Sequence, residues 1–126
     1  AGKLINCTHR HCVFTIPEEL RSYFLEDRTR LDCLFHAACS VVHQLFHKVN
    51  KTKNFTPGFI CVLHTFGRPL EWNPHIHCLI SEGGFSDDGF WRKVKHFDYT
   101  YLRYAFRTAL LNELESCIGP SFKKVL

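Results

Sequence analysis

No run of about 18 apolar residues occurs anywhere in this chain, so a membrane-crossing helix is not expected. No secretory leader stands at its amino end, and no internal repeat or low-complexity tract interrupts it. Charge of one sign does not dominate either. Sixteen basic residues stand against twelve acidic ones, a formal net charge of +4. That balance is compatible with a nucleic-acid partner but does not demand one. The doubled C-x₂₋₄-C…C-x₂₋₄-C form of a structural zinc site is also missing. What cysteine there is amounts to seven residues, an odd number scattered along the chain. Reduced thiols in a cytoplasmic protein are the reading this favours over a secreted disulfide framework. The glycosylation patterns at Asn6, Asn50 and Asn54 then carry no weight. Forty-five per cent hydrophobic residues, with twelve phenylalanines, over 126 residues describe one globular domain with a real core, spanning 1–126.

The informative stretch is Ile60 to Gly84. Pro74-His75-Ile76-His77-Cys78-Leu79-Ile80 reads as a buried strand, and Glu82-Gly83-Gly84 reads as the turn that closes it. Side chains alternate along a strand, so His75 and His77 share one face and lie about 7 Å apart. Two imidazoles so placed can converge on one cation. A preceding strand, Phe59 to Phe66, carries His64, and Gly67 to Asn73 connects the two. A turn centred between Pro69 and Leu70 sets His64 opposite His75 on the same face, within about 5 Å between Cβ atoms. A slip of one residue reverses that face. The alternative is a structural His-x-His pair, because nine histidines make chance pairs common, His9 and His11 among them.

Around this hairpin the elements follow from periodicity and capping. His11 to Ile16 is rich in strand formers. Cys7-Thr8-His9-Arg10-His11-Cys12 resembles a zinc cluster in composition only. An extended segment sends those side chains to two faces, so they form the lead-in to the strand. Pro17-Glu18-Glu19-Leu20 opens a helix, with proline in the first turn and acids at the positive dipole end. Asp27 or Thr29 offers the next cap. Leu31, Leu34, Phe35, Ala38, Val41, Val42, Leu45, Phe46 and Val49 then recur at helical spacing. His43 and His47, four apart on that helix, lack an acidic or cysteine partner, which favours solvated side chains over a metal pair. Lys48 to Asn54 is a polar exit loop. Asp87-Asp88-Gly89 between aromatics marks a hairpin turn, with Trp91 to Phe97 as its second arm. Asp98 or Thr100 caps a last helix that runs to about Cys117, with Leu102, Ala105, Phe106, Ala109, Leu110 and Leu114 as its buried stripe. Gly119-Pro120 ends it. The class is α+β: an antiparallel sheet with helices on one side. One further strand completes a split βαβ, ferredoxin-like plan.

HTFGRPLEWNPHIHCLISEGG (His64–Gly84) closely resembles the histidine–hydrophobic–histidine (HUH) segment of two-tyrosine, rolling-circle insertion-sequence transposases of bacteria. HRHCVFTIPEELR (His9–Arg21), TPGFICVLHTFGR (Thr56–Arg68) and WRKVKHFDY (Trp91–Tyr99) are similar to the same family in the same order. The resemblance implies an HUH nuclease (Rep/relaxase-like) fold, incomplete at the carboxyl end. It implies a site in which His75 and His77 hold a divalent metal, Mg²⁺ or Mn²⁺, completed by His64 or by Glu71. Glu82 has the wrong parity relative to His77. The family nicks and rejoins single-stranded DNA at transposon ends through a phosphotyrosine link. Its Tyr-x-x-x-Tyr pair lies on a helix downstream of the segment matched here, so the nucleophile is expected outside this chain. Tyr101 and Tyr104, three apart, are the weaker candidates within it. An upstream zinc module of related transposases is likewise expected outside the chain. Arg68, Arg92 and Lys95 are candidate phosphate contacts, Arg92 and Lys95 also being readable as protective charges on an edge strand. Trp72 is a candidate stacking platform, with simple packing under its loop as the alternative, and Asn73 suits the turn. The resemblance thus implies the metal-binding half of a transposase. The alternatives are a rolling-circle replication initiator and an inactive remnant that only binds DNA. An unrelated metallohydrolase would need a general base that is not in evidence.

Overall fold

The computed structural model describes residues 9–49, 55–68, 70–93, 97–119 and 122. The chain runs as β1 (His9–Phe14), a 3-10 turn (Glu18–Leu20), α1 (Arg21–Glu26), a second 3-10 turn (Arg28–Arg30), α2 (Leu31–Val49), β2 (Phe55–Phe66), β3 (Trp72–Ser86), β4 (Trp91–Lys93) and α3 (Tyr99–Ile118). β3 is the central strand. β2 pairs along one edge, and β1 and then β4 follow each other along the opposite edge, all antiparallel. This is the α+β arrangement expected from the order of elements.

Alternation along the strands gives the sheet two unlike faces. Cys12, Phe14, Ile76, Cys78 and Ile80 are buried against the helices. The stripes of α2 (Leu34, Ala38, Val41, Val42, Leu45) and α3 (Leu102, Phe106, Leu110, Leu114) meet them there, and Phe14 packs on Phe106 with ring centroids 4.8 Å apart. On the other face His11, Val13, Ile60, Val62, His64 and Leu79 are exposed, with His75 and His77 half-buried among them. The helix starts obey the expected caps. Asp27 accepts from the Thr29 amide before α2, and Asp98 accepts from the Tyr101 amide at the head of α3.

Several boundaries differ from the sequence expectation. β1 leaves the sheet after Phe14, two residues before Ile16, whose side chain is buried beyond the strand end. β2 begins at Phe55 rather than Phe59. The largest difference concerns Glu82-Gly83-Gly84, which does not close β3; the strand continues through it to Ser86. The reason is the missing side chain at Gly83. A Cβ there would stand 2.2 Å from the Arg92 carbonyl oxygen, so only glycine lets the β4 backbone approach. The turn itself sits at Ser86–Phe90, where Gly89 takes the left-handed φ of +84°. Pro69, Val94, Lys95, His96, Pro120, residues 50–54 and residues 1–8 lie outside the described residues, and with them parts of the expected loops, the Cys7 end of the cysteine–histidine segment and the Asn6, Asn50 and Asn54 patterns.

The expectation of reduced thiols also needs correcting at one pair. The register sets Cys61 directly opposite Cys78, with Cα atoms 4.3 Å apart, and the structure joins them in a disulfide. That facing could not be read from a scattered count of cysteines. Cys12, Cys33, Cys39 and Cys117 are free thiols.

Two outcomes are expected. Gly83→Ala should cost about 1–3 kcal/mol of stability, because the added methyl meets backbone that cannot rotate away. Amide hydrogen exchange at Trp91–Lys93 should then speed up. The second concerns Asp88, whose carboxyl is held down to about 2 by the Ser86 hydroxyl, then the Phe90 amide and Arg92. A carboxyl lowered by folding stabilises above its unfolded value of about 3.9 and loses that effect as pH falls through its folded value. Asp88→Asn should therefore lower the thermal midpoint at pH 7, with the gap closing toward pH 2.

Candidate metal centre

β2 and β3 pair so that His64 faces His75, Val62 faces His77 and Ile60 faces Leu79. Those partners share the offset that the spacing predicts, and the register shifts by one nearer the loop, where Phe66 faces Trp72. His64, His75 and His77 share the open face. Ring centroids are 5.4 Å apart for His64–His75, 4.3 Å for His64–His77 and 4.9 Å for His75–His77. One nitrogen from each ring can be chosen so that all three lie within 4.8 Å of one another. Three nitrogens about 2.1 Å from a single ion stand roughly 3–3.5 Å apart, so small side-chain rotations close the set. The residues fit a divalent cation.

The ring of His75 is held by its own strand. Its Nδ1 lies 2.6 Å from the Asn73 carbonyl oxygen, which can only accept, so Nδ1 carries the proton and Nε2 keeps its lone pair. His77 is held from across the sheet. Its Nδ1 lies 2.8 Å from Nε2 of His11, and the two rings stack with centroids 5.0 Å apart. Sequence reading set the His9-x-His11 pair aside as chance. Only the β1–β3 register, with Val13 opposite His77, reveals that His11 is the diagonal neighbour on the same face. Partial burial and the nearby imidazoles of His64, His75 and His11 push the His77 pKa below its ordinary value.

Among the described residues no carboxylate joins this trio. Glu82 points away, as its parity predicts, and pairs with Arg10 at 2.6 Å. Glu71 lies in the connecting loop, 3.7 Å from the Arg21 guanidinium. Arg68 is exposed in the same loop. Trp72 is engaged instead. Its Nε1 donates to the Arg21 carbonyl at 2.8 Å and the Arg28 guanidinium sits over its ring at 5.0 Å, the packed arrangement weighed as the alternative to base stacking. Arg92 pairs with Asp88 at 2.7 Å. Lys95 lies outside the described residues. Tyr101 and Tyr104 are not brought to the histidines. Both belong to α3 in the helical layer, where the Tyr101 hydroxyl donates to Gln44 at 3.4 Å and its ring lies under Lys48. His43 stacks edge-on against Phe59, and neither it nor His47 joins a metal-ligand group among the described residues.

The model of the family described as "Putative transposase" matches residues 58–124, just over half of the chain, with His64, His75 and His77 inside the match. The chain belongs to that transposase family. Among curated relatives, the transposase for insertion sequence element IS801 of Pseudomonas savastanoi pv. phaseolicola is 35% identical over 93 residues, 74% of this chain and 22% of that protein. "Putative transposase y4qJ" of Sinorhizobium fredii (strain NBRC 101917 / NGR234) is 31% identical over 88 residues, 70% of this chain and 22% of its own length. This transposase chain thus spans about a fifth of the relatives it matches, and the resemblance to HUH-type insertion-sequence transposases is borne out. In fold it is similar to the conjugative relaxase TrwC in complex with OriT DNA. The metal-bound structure aligns at a TM-score of 0.61 and 18% identity, over 85% of this chain and 43% of that one. The metal-free structure aligns at 0.62 and 18%, over 85% and 44%. No helix among the described residues is long and apolar enough to cross a membrane.

Because the trio stands on the open face and not in the core, its removal should leave the fold intact. His64→Ala is expected to shift unfolding free energy by no more than about 0.5 kcal/mol. A urea titration followed by far-ultraviolet circular dichroism checks this, and a loss of several kcal/mol would mark His64 as structural.

Proposed function

We propose that this chain is the metal-holding part of a transposase domain that nicks and rejoins single-stranded DNA at transposon ends. The observation that carries the reading is the convergence of His64, His75 and His77 on the open sheet face of a member of this transposase family. The conjugative relaxase TrwC, similar to it in fold, is solved with OriT DNA in metal-bound, copper-bound and metal-free forms.

His64, His75 and His77 are the residues that would hold the ion. A bound divalent ion supplies Lewis-acid polarisation of a phosphodiester and offsets charge on its oxygens. Three neutral imidazoles suit Mn²⁺ better than Mg²⁺, which prefers oxygen ligands; Mn²⁺ or Mg²⁺ is the cofactor assigned. The Asn73 carbonyl fixes which nitrogen of His75 faces outward, so that ring is oriented before substrate arrives. Arg68, exposed in the loop that joins β2 to β3, is assigned to phosphate pairing. Trp72 holds the loop that carries Arg68 against α1. The attacking hydroxyl is assigned to a tyrosine of the family's Tyr-x-x-x-Tyr pair, outside these 126 residues. In that step one oxygen–phosphorus bond forms as another breaks, so the energy needed for rejoining stays in the phosphotyrosine. The place of action assigned is the cytoplasm, where the DNA is.

A calorimetric Mn²⁺ titration tests the reading. The parent should bind one ion, and His75→Ala and His64→Ala should each abolish the transition. Loss in His75→Ala alone moves the third ligand to another residue, with Glu71→Ala next. A parent that binds no Mn²⁺, with or without single-stranded DNA, leaves a DNA-binding remnant as the better description.

A further inference from the structure

His11 has no part in the ligand trio, yet its side chain touches one member of it. Its Nε2 lies 2.8 Å from Nδ1 of His77, and the two rings are nearly parallel, with 18° between their planes. Two imidazole nitrogens at that distance share one proton, one donating and one accepting. If His77 offers Nε2 to a cation, that nitrogen is bare and Nδ1 must carry the hydrogen. His11 Nε2 is then the acceptor, and His11 is the neutral ring protonated at Nδ1. A free neutral histidine has no such constraint and divides between its two tautomers.

We propose that His11 is a positioning residue that locks His77 in the Nδ1–H tautomer, with Nε2 directed into the metal centre. The proposal rests on the metal reading above. The parallel with His75 supports it. One ligand has its outer nitrogen fixed by a backbone carbonyl on its own strand, and another by a side chain on a different strand. His11 is not a fourth ligand, since Nε2 is committed to His77 and the converging group contains the other three histidines alone. The choice of acceptor matters chemically. Ligand histidines commonly donate to a carboxylate or a carbonyl. Here the acceptor on His77 is a neutral imidazole, and the nearest acid on β3, Glu82, is turned away to Arg10. The trio and the groups bonded to it therefore add no negative charge to a divalent ion, which keeps its full pull on a phosphate.

Long-range proton–nitrogen correlation spectra of the ¹⁵N-labelled metal-free chain, with parallel Mn²⁺ titrations, test this. The parent should show His77 as the Nδ1–H tautomer. His11→Phe keeps a stacked ring but removes the acceptor; His77 should then populate both tautomers, and Mn²⁺ affinity should fall about tenfold or more. His11→Gln returns an acceptor oxygen near the position of Nε2 and should restore both readouts toward the parent. An unchanged His77 tautomer and unchanged affinity in His11→Phe would overturn the proposal while leaving the metal reading standing. Failure of the parent to bind Mn²⁺ overturns both, and the two failures are distinguished because the tautomer is read without metal.

Discussion

The pairing register of β2 on β3 is the constraint on which this molecule turns. Fixing His64 opposite His75 simultaneously places Val62 opposite His77 and Cys61 opposite Cys78. A strand has two faces and no intermediate, so one offset decides every one of these placements. The alternation of Ile76, Cys78 and Ile80 into the helical layer makes the other offset very costly, since it would exchange buried aliphatic groups for imidazoles. Hydrophobic burial thereby sets the geometry of a polar site that it never touches. The same logic extends to β1, whose buried Cys12 and Phe14 oblige His11 to emerge beside His77.

Much of this was legible beforehand, and the reasons are local. The hairpin histidines could be placed because strand parity and a short connection leave few choices. The caps at Asp27 and Asp98 were readable because a cap is a matter of one side chain and the next three amides. The stripes on α2 and α3 were readable because helical spacing survives in a single sequence. What escaped depends on contacts between distant segments. Glu82-Gly83-Gly84 has the composition of a turn, and only the approach of the β4 backbone shows why glycine sits inside a strand. The partnership of His11 with His77, and that of Cys61 with Cys78, require an inter-strand register that composition does not carry. Trp72 looked equally suited to a base or to a packing role, and the Arg21 carbonyl with the Arg28 guanidinium is what engages it.

The electrostatic design of the site is unusual in being all imidazole. Burial and the imidazoles crowded around it disfavour a proton on His77, which is the condition a metal needs of a ligand. The nearby acids are diverted, Glu82 to Arg10 and Glu71 toward Arg21. The mild excess of basic residues says little by itself; the disposal of particular carboxylates says more.

The open face has a practical side as well. Val13, Ile60, Val62 and Leu79 leave aliphatic carbon in water around the histidines, with 60% of Ile60 accessible. Greasy ground of that kind invites one molecule to adhere to another. Handled in isolation, this polypeptide should behave as a sticky colloid whose tendency to cluster grows with concentration. Lysine placed at Ile60, away from the three histidines, is the natural remedy for anyone who needs it in clear solution.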